Sequence, residues 1–181
     1  MRVAGVDVST FAIDIVTLEM SGDDYTWWHY PLRGDNLIDR IRYAGRAYED
    51  EGLPGRNALF WDELTGVGVE RPMKRGHGSA QPMMALGAVL TRIPDWMLVY
   101  DWKPSEWRAR CGLKGNAPKA DVAAWVSQRR LDLADTKPWA QDACDAYCIA
   151  YATRAAIETV PSTPVDEEQK NLLPDDNRTP D

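Results

Sequence analysis

The first residues alternate little and read as a buried strand: Val3, Ala4, Gly5 and Val6 form an apolar run that continues through Asp7 and Val8. Phe11–Leu18 is a second apolar, β-branched run, and Tyr25–Tyr30 is a third. The connections Ser9-Thr10 and Ser21-Gly22-Asp23-Asp24 are short and rich in turn residues, which predicts an antiparallel meander. Helical spacing follows over Asp35–Glu51, with Leu37, Ile38, Ile41, Ala44 and Tyr48 on one side. Thr65–Glu70 predicts a strand around Val67 and Val69, Ser79–Thr91 a helix carrying Met83, Met84, Leu86 and Val89, and Trp96–Asp101 another strand. Pro104 and Ser105 open a short helix through Arg110, Pro118 opens one to about Leu131, and Trp139–Thr159 forms a long one.

The order β-β-β-α-β-α-β-α-α-α predicts an α/β fold. Three antiparallel strands are followed by parallel strands reached through crossovers, giving a mixed sheet with helices on both faces. Beyond Pro161 the chain changes character, with Pro164, Pro174 and Pro180 set among Asp, Glu, Asn and Thr. Residues 1–160 are therefore expected to form one domain and 161–181 a disordered acidic tail.

A length of 181 residues with 44% apolar and 27% charged positions matches one soluble domain with a core of its own. No apolar run is long enough to span a bilayer, and Asp7 and Asp14 interrupt the N-terminal stretch, so neither a membrane span nor a signal peptide is expected. Cys111, Cys144 and Cys148 make neither a disulfide framework nor a four-ligand zinc site; they read as small buried hydrophobes in a reducing, cytoplasmic setting.

The net charge of −7 argues at first against a nucleic-acid partner. Its distribution argues otherwise, because residues 71–130 carry 11 basic and 4 acidic side chains while residues 1–70 carry 6 and 13. A basic block in an acidic protein marks either a phosphate-binding face or a solvated charged surface.

Four acids change the picture further. Asp7 lies in an apolar strand, Glu70 closes another, and Asp142 and Asp145 are three apart on the last helix and so share a face. A carboxylate on a buried strand is expensive unless paired or bound to a cation. Oxygen ligands of this kind suit Mg²⁺ or Mn²⁺, and two such ions can activate water and stabilise the leaving oxygen of a phosphoryl displacement. Each acid also has a plain explanation, a turn cap or a solvated helix face. Their placement on strand one, strand four and the last helix makes them a set.

These residues carry a resemblance. Val3-Ala4-Gly5-Val6-Asp7-Val8-Ser9, Val67-Gly68-Val69-Glu70-Arg71-Pro72, the Pro104 to Lys119 segment and Asp142-Ala143-Cys144-Asp145-Ala146 together resemble the RuvC-type Holliday junction resolvases of the ribonuclease H-like superfamily, over about residues 2–157. The resemblance implies a metal-dependent endonuclease that cuts branched DNA, most of all four-way junctions, as a homodimer and leaves 5′-phosphate ends. It implies Asp7, Glu70, Asp142 and Asp145 as catalytic metal ligands for Mg²⁺, with Mn²⁺ as a substitute, and Lys119 as the basic residue near the scissile phosphate. Arg71, Met73, Lys74, Arg75, Lys114 and Lys119 are the expected DNA contacts. Where the family often carries an aromatic wedge after the second acid, this chain offers Met73 in a basic loop. His77 in that loop reads as a phosphate contact or as a solvated side chain, and Trp27, Trp28, Trp102 and Trp107 as packing. A compact standalone domain of this kind would suit a phage genome.

Three other readings stay open at this point. Gly5-Val6-Asp7-Val8-Ser9-Thr10 also resembles a first phosphate loop of an actin-like or sugar-kinase-like ATPase, but no second glycine-rich phosphate loop appears. Cleavage of RNA–DNA hybrids would use the same metal logic. A non-catalytic DNA-binding module would not need four acids.

Overall fold

The computed structural model describes residues 1–22, 24–50, 61–72, 80–130 and 140–159. Five strands, β1 (Arg2–Val8), β2 (Ala12–Glu19), β3 (Tyr25–Pro31), β4 (Leu64–Glu70) and β5 (Val99–Trp102), form one sheet in the order β3-β2-β1-β4-β5. β1 pairs antiparallel with β2, and β2 with β3; β4 runs parallel to both β1 and β5. Five helices are described: α1 (Leu37–Asp50), α2 (Ala80–Leu90), α3 (Pro104–Arg110), α4 (Lys119–Ser127) and α5 (Ala140–Thr159).

Alternation along the strands sends side chains to two cores. Val3, Val16 and Leu18 pack beneath α5 with Trp107, Val122, Trp125 and Tyr147. Ala4, Val6, Ile13, Ile15, Val67 and Val69 point to the opposite face, where Leu86 and Val89 of α2 cover them. Helices thus lie on both faces, as the sequence predicts. Among the described residues no helix is long and apolar enough to cross a membrane. The three cysteines are buried and free, in keeping with their reading as small hydrophobes.

Two glycines set how closely α5 sits on the sheet. A Cβ on Gly5 would lie 2.2 Å from both the Ala146 carbonyl oxygen and the Ala150 amide nitrogen, and one on Gly68 2.0 Å from Thr153 Oγ1. The strands weaken themselves locally by carrying glycine, and in return the α5 backbone reaches Gly5 and the Thr153 side chain of α5 reaches Gly68. Gly5→Ala is therefore expected to lift α5, costing about 3 kcal/mol or more of stability, since rigid backbone rather than a flexible side chain opposes the added methyl. Urea unfolding measures it; a loss under 1 kcal/mol would show that α5 slides freely.

The expected elements differ from the observed ones at a few ends. Strand five begins at Val99 rather than Trp96, because the Met97 amide donates to the Pro94 carbonyl (2.9 Å) and closes a turn that leaves Trp96 and Leu98 exposed. Pro118 is the extended residue before α4 rather than its first helical residue, and α4 ends at Ser127. Leu131 and the expected tail lie outside the described residues.

Candidate active site

The acids meet because of register. Asp7 stands opposite Asp14 in the β1–β2 ladder, and Asp14 opposite His29 in the β2–β3 ladder. Val6 pairs with Val69, so Asp7 and Glu70 follow one step on, and Glu70 stands opposite Trp102. One row across the sheet thus reads His29, Asp14, Asp7, Glu70, Trp102, all on the face covered by α5. Ala146 and Ala150 of α5 rest on Gly5, which brings Asp142 and Asp145 of its first two turns over the row.

Electrostatics record the crowding. Burial, then the charges of Asp145, Glu70, Asp142 and Asp14, hold the Asp7 carboxyl well above the usual carboxylate range. Asp7 keeps some surface in contact with water, so part of that elevation will be screened. Asp145 is buried and pushed up to about 7, first by burial and also by Glu70, against the opposing pull of Lys119, Gln141 and Arg108. Glu70 is raised by burial and held back by a hydrogen bond from Trp107 and by the charges of Arg108 and Lys119.

Hydrogen bonds fix the first ring of neighbours. Trp107 Nε1 donates to Glu70 Oε2 at 2.7 Å, and Gln141 Nε2 to Asp145 Oδ1 at 3.0 Å. Asp14 Oδ1 accepts from Trp27 Nε1 at 3.1 Å and lies 2.9 Å from His29 Nδ1. Lys119, the first residue of α4, is exposed and acts on Glu70 and Asp145 without an ion pair among the described residues.

The structure brings together Asp7, Glu70, Asp142, Asp145 and Lys119. Lys114 is exposed on the turn leading to α4. Arg71 is engaged elsewhere: its guanidinium grips Asp101, with Nε 2.7 Å from Oδ2, tying the exit of β4 to β5. Met73, Lys74, Arg75 and His77 lie outside the described residues. Three neighbours were not found from sequence. Asp14 had the same signal as Asp7, an acid in an apolar strand. Gln141 and Arg108 had none: Arg108 is one cation among many until α3 sets it beside Glu70.

Among the described residues no three acidic, histidine or cysteine side chains stand as a ready-made metal cage. The donor chemistry nevertheless fits a hard divalent cation. Four carboxylates offer oxygen alone, and burial raises the carboxyls of Asp7, Glu70 and Asp14, with the charges of neighbouring acids adding to it at Asp7 and Asp14.

No family model matches the chain, and no curated protein matches it. Solved structures do. The structure of Thermus thermophilus RuvC is similar with a TM-score of 0.60 at 20% identity, over 87% of this chain and 96% of that one. Thermus thermophilus RuvC in complex with Holliday junction substrate gives a TM-score of 0.64 at 19% identity, over 88% of this chain and 96% of that one. The fowlpox virus Holliday junction resolvase is a more distant likeness, with a TM-score of 0.47 at 10% identity over 86% of this chain and 99% of that one. The fold of this chain is thus the ribonuclease H-like α/β fold of RuvC.

Proposed function

We propose that the chain is a divalent-metal-dependent endonuclease that cleaves branched DNA, four-way junctions above all, as a homodimer. The observation that carries this reading is the meeting of Asp7, Glu70, Asp142 and Asp145, from three separate elements, on one face of a fold shared with a RuvC bound to its junction. Those four acids would hold Mg²⁺, or Mn²⁺ in its place. Bound there, the metal supplies an activated water and countercharge for the leaving oxygen.

The chain's own residues do the rest. Trp107 and Gln141 each fix one oxygen of Glu70 and Asp145 and so set which oxygens stay available. Lys119 and Arg108 place positive charge against the acids, where it stabilises charge developing on a phosphate oxygen. Lys114, Lys74 and Arg75 contact backbone phosphates, and Met73 wedges at the junction centre. Two symmetric strands require two sites, and closed twofold dimers are the commonest solution. The surface offered for it is α2, which leaves Met83, Met84 and Leu90 exposed. Light scattering is the check on the dimer.

A panel of synthetic four-way, three-way and flap DNAs with an RNA–DNA hybrid, all in Mg²⁺, tests the substrate. The four-way junction should be cut fastest, as paired nicks. Preference for the hybrid would replace this reading with a ribonuclease H activity.

A further inference from the structure

Between 103 and 130 stand seven basic residues and two acidic ones. Four of the arginines share one arrangement. Arg108 lies over the Trp107 ring at 4.6 Å, Arg110 over Trp102 at 5.8 Å, Arg129 over Trp125 at 3.7 Å, and Arg130 over Tyr25 at 5.3 Å. None of the four forms an ion pair among the described residues. Of the two acids, Glu106 is taken by Lys103 at 3.0 Å. A guanidinium held over a ring keeps its charge while losing part of its hydration, and its unbonded N–H groups can donate to the anionic oxygens of a phosphate.

Arg129 and Arg130 stand apart from the carboxylates. Tyr25 pairs with Leu18, four residues along the ladder from the Asp14–His29 pair. At about 3.3 Å per residue that is roughly 13 Å. Trp125 packs at the same end, edge-on to Tyr151 at 5.0 Å and tilted against Tyr147 at 6.4 Å, both further along α5 than Asp145. Arg129 Nη1 donates to the Trp125 carbonyl at 3.1 Å and Arg130 Nε is buried, and no acceptor among the described residues takes the other guanidinium N–H groups of the pair.

We propose that Arg129 and Arg130, seated on Trp125 and Tyr25, form an anchoring site for the phosphate backbone of a DNA arm, distinct from the carboxylate centre. Phosphates of one strand rise about 3.4 Å each along a duplex, so the site meets the backbone roughly four phosphates from the cut. It acts on affinity and on the direction in which the arm leaves, while Lys119 and Arg108 serve the reacting phosphate. The inference rests on the reading that the chain cuts branched DNA and adds where the uncut part of the arm is held.

Fluorescence anisotropy on a four-way junction without divalent metal tests it. Arg129→Gln with Arg130→Gln should weaken Kd about tenfold and lower the slope of log affinity against log salt by about two. Arg129→Lys with Arg130→Lys should restore the slope and only part of the affinity, because the charge returns without the fork. A folded glutamine pair with wild-type affinity and slope overturns the proposal. If that pair does not fold, phosphate ethylation interference on the wild-type protein decides: interference about four phosphates from the cut supports the site, and interference confined to the cut overturns it. The two levels separate cleanly. A wild-type chain that neither binds nor cuts branched DNA removes the functional reading, whereas one that cuts junctions while the glutamine pair binds as tightly removes only the anchoring site.

Discussion

Asp7→Asn, Glu70→Gln, Asp142→Asn and Asp145→Asn are each expected to lower single-turnover junction cleavage about 10³-fold or more. Each removes a charged oxygen ligand where charge develops, a loss on the order of 4 kcal/mol in the barrier at 1.36 kcal/mol per decade. The substitution at Asp7 should not weaken the fold. Burial, and then the charges of Asp145, Glu70, Asp142 and Asp14, hold the Asp7 carboxyl well above the usual range, so a neutral isostere avoids burying a charge and relieves repulsion. Asp7→Asn is thus expected to melt higher than wild type at pH 8 without metal, and to bind DNA at least as tightly. Dead and destabilised would describe a structural acid; dead and stabilised describes a catalytic one. A variant that cuts at the wild-type rate removes its residue from the centre.

The second large effect is on stability against pH. Asp145 is raised to about 7, and Asp7, Glu70 and Asp14 are raised as well, so the folded protein holds protons that the unfolded chain gives up near pH 4. Where the folded state binds more protons, stability falls as pH rises. The metal-free protein should therefore be most stable near pH 5 and lose stability up to about pH 8, where the buried acids must ionise together. The shift at Asp145 alone sets a scale on the order of 4 kcal/mol at most. Mg²⁺ should reverse the trend, stabilising far more at pH 8 than at pH 5 and releasing protons as it binds. Urea unfolding at pH 5, 6, 7 and 8, with and without Mg²⁺, checks both halves. Stability that rises steadily to pH 8 in the absence of metal would mean that the acids are already offset by groups of the protein.

Much of this centre was visible along the chain. Asp7 stood out because a carboxylate in an apolar strand has a cost to explain, and Asp142 with Asp145 because three residues of spacing share a helix face. The same rule applied to Asp14, which interrupts Ile13, Ile15 and Val16, but its place beside Asp7 depends on the ladder register and not on the run itself. The row from His29 to Trp102 depends on the parallel pairing of β1 with β4, more than sixty residues away in sequence, which no local pattern encodes. Charge was the least legible feature. Arg71 and Arg108 carry the same charge in the same basic block, yet Arg71 is consumed by Asp101 while Arg108 faces Glu70 and Asp145 from the ring of Trp107. Gly5 and Gly68, legible along the chain only as parts of two strand motifs, are the positions where α5 comes closest to the sheet.

One assay bears most directly on the claim that these carboxylates form a metal-dependent nuclease centre: incubation of the wild-type protein with an end-labelled four-way junction in EDTA and in Mg²⁺, with the product ends mapped. The account predicts no product in EDTA and, in Mg²⁺, two symmetric nicks with 5′-phosphate ends. Cleavage that proceeds equally in EDTA, or an intact junction in Mg²⁺ with DNA fully bound, would contradict it.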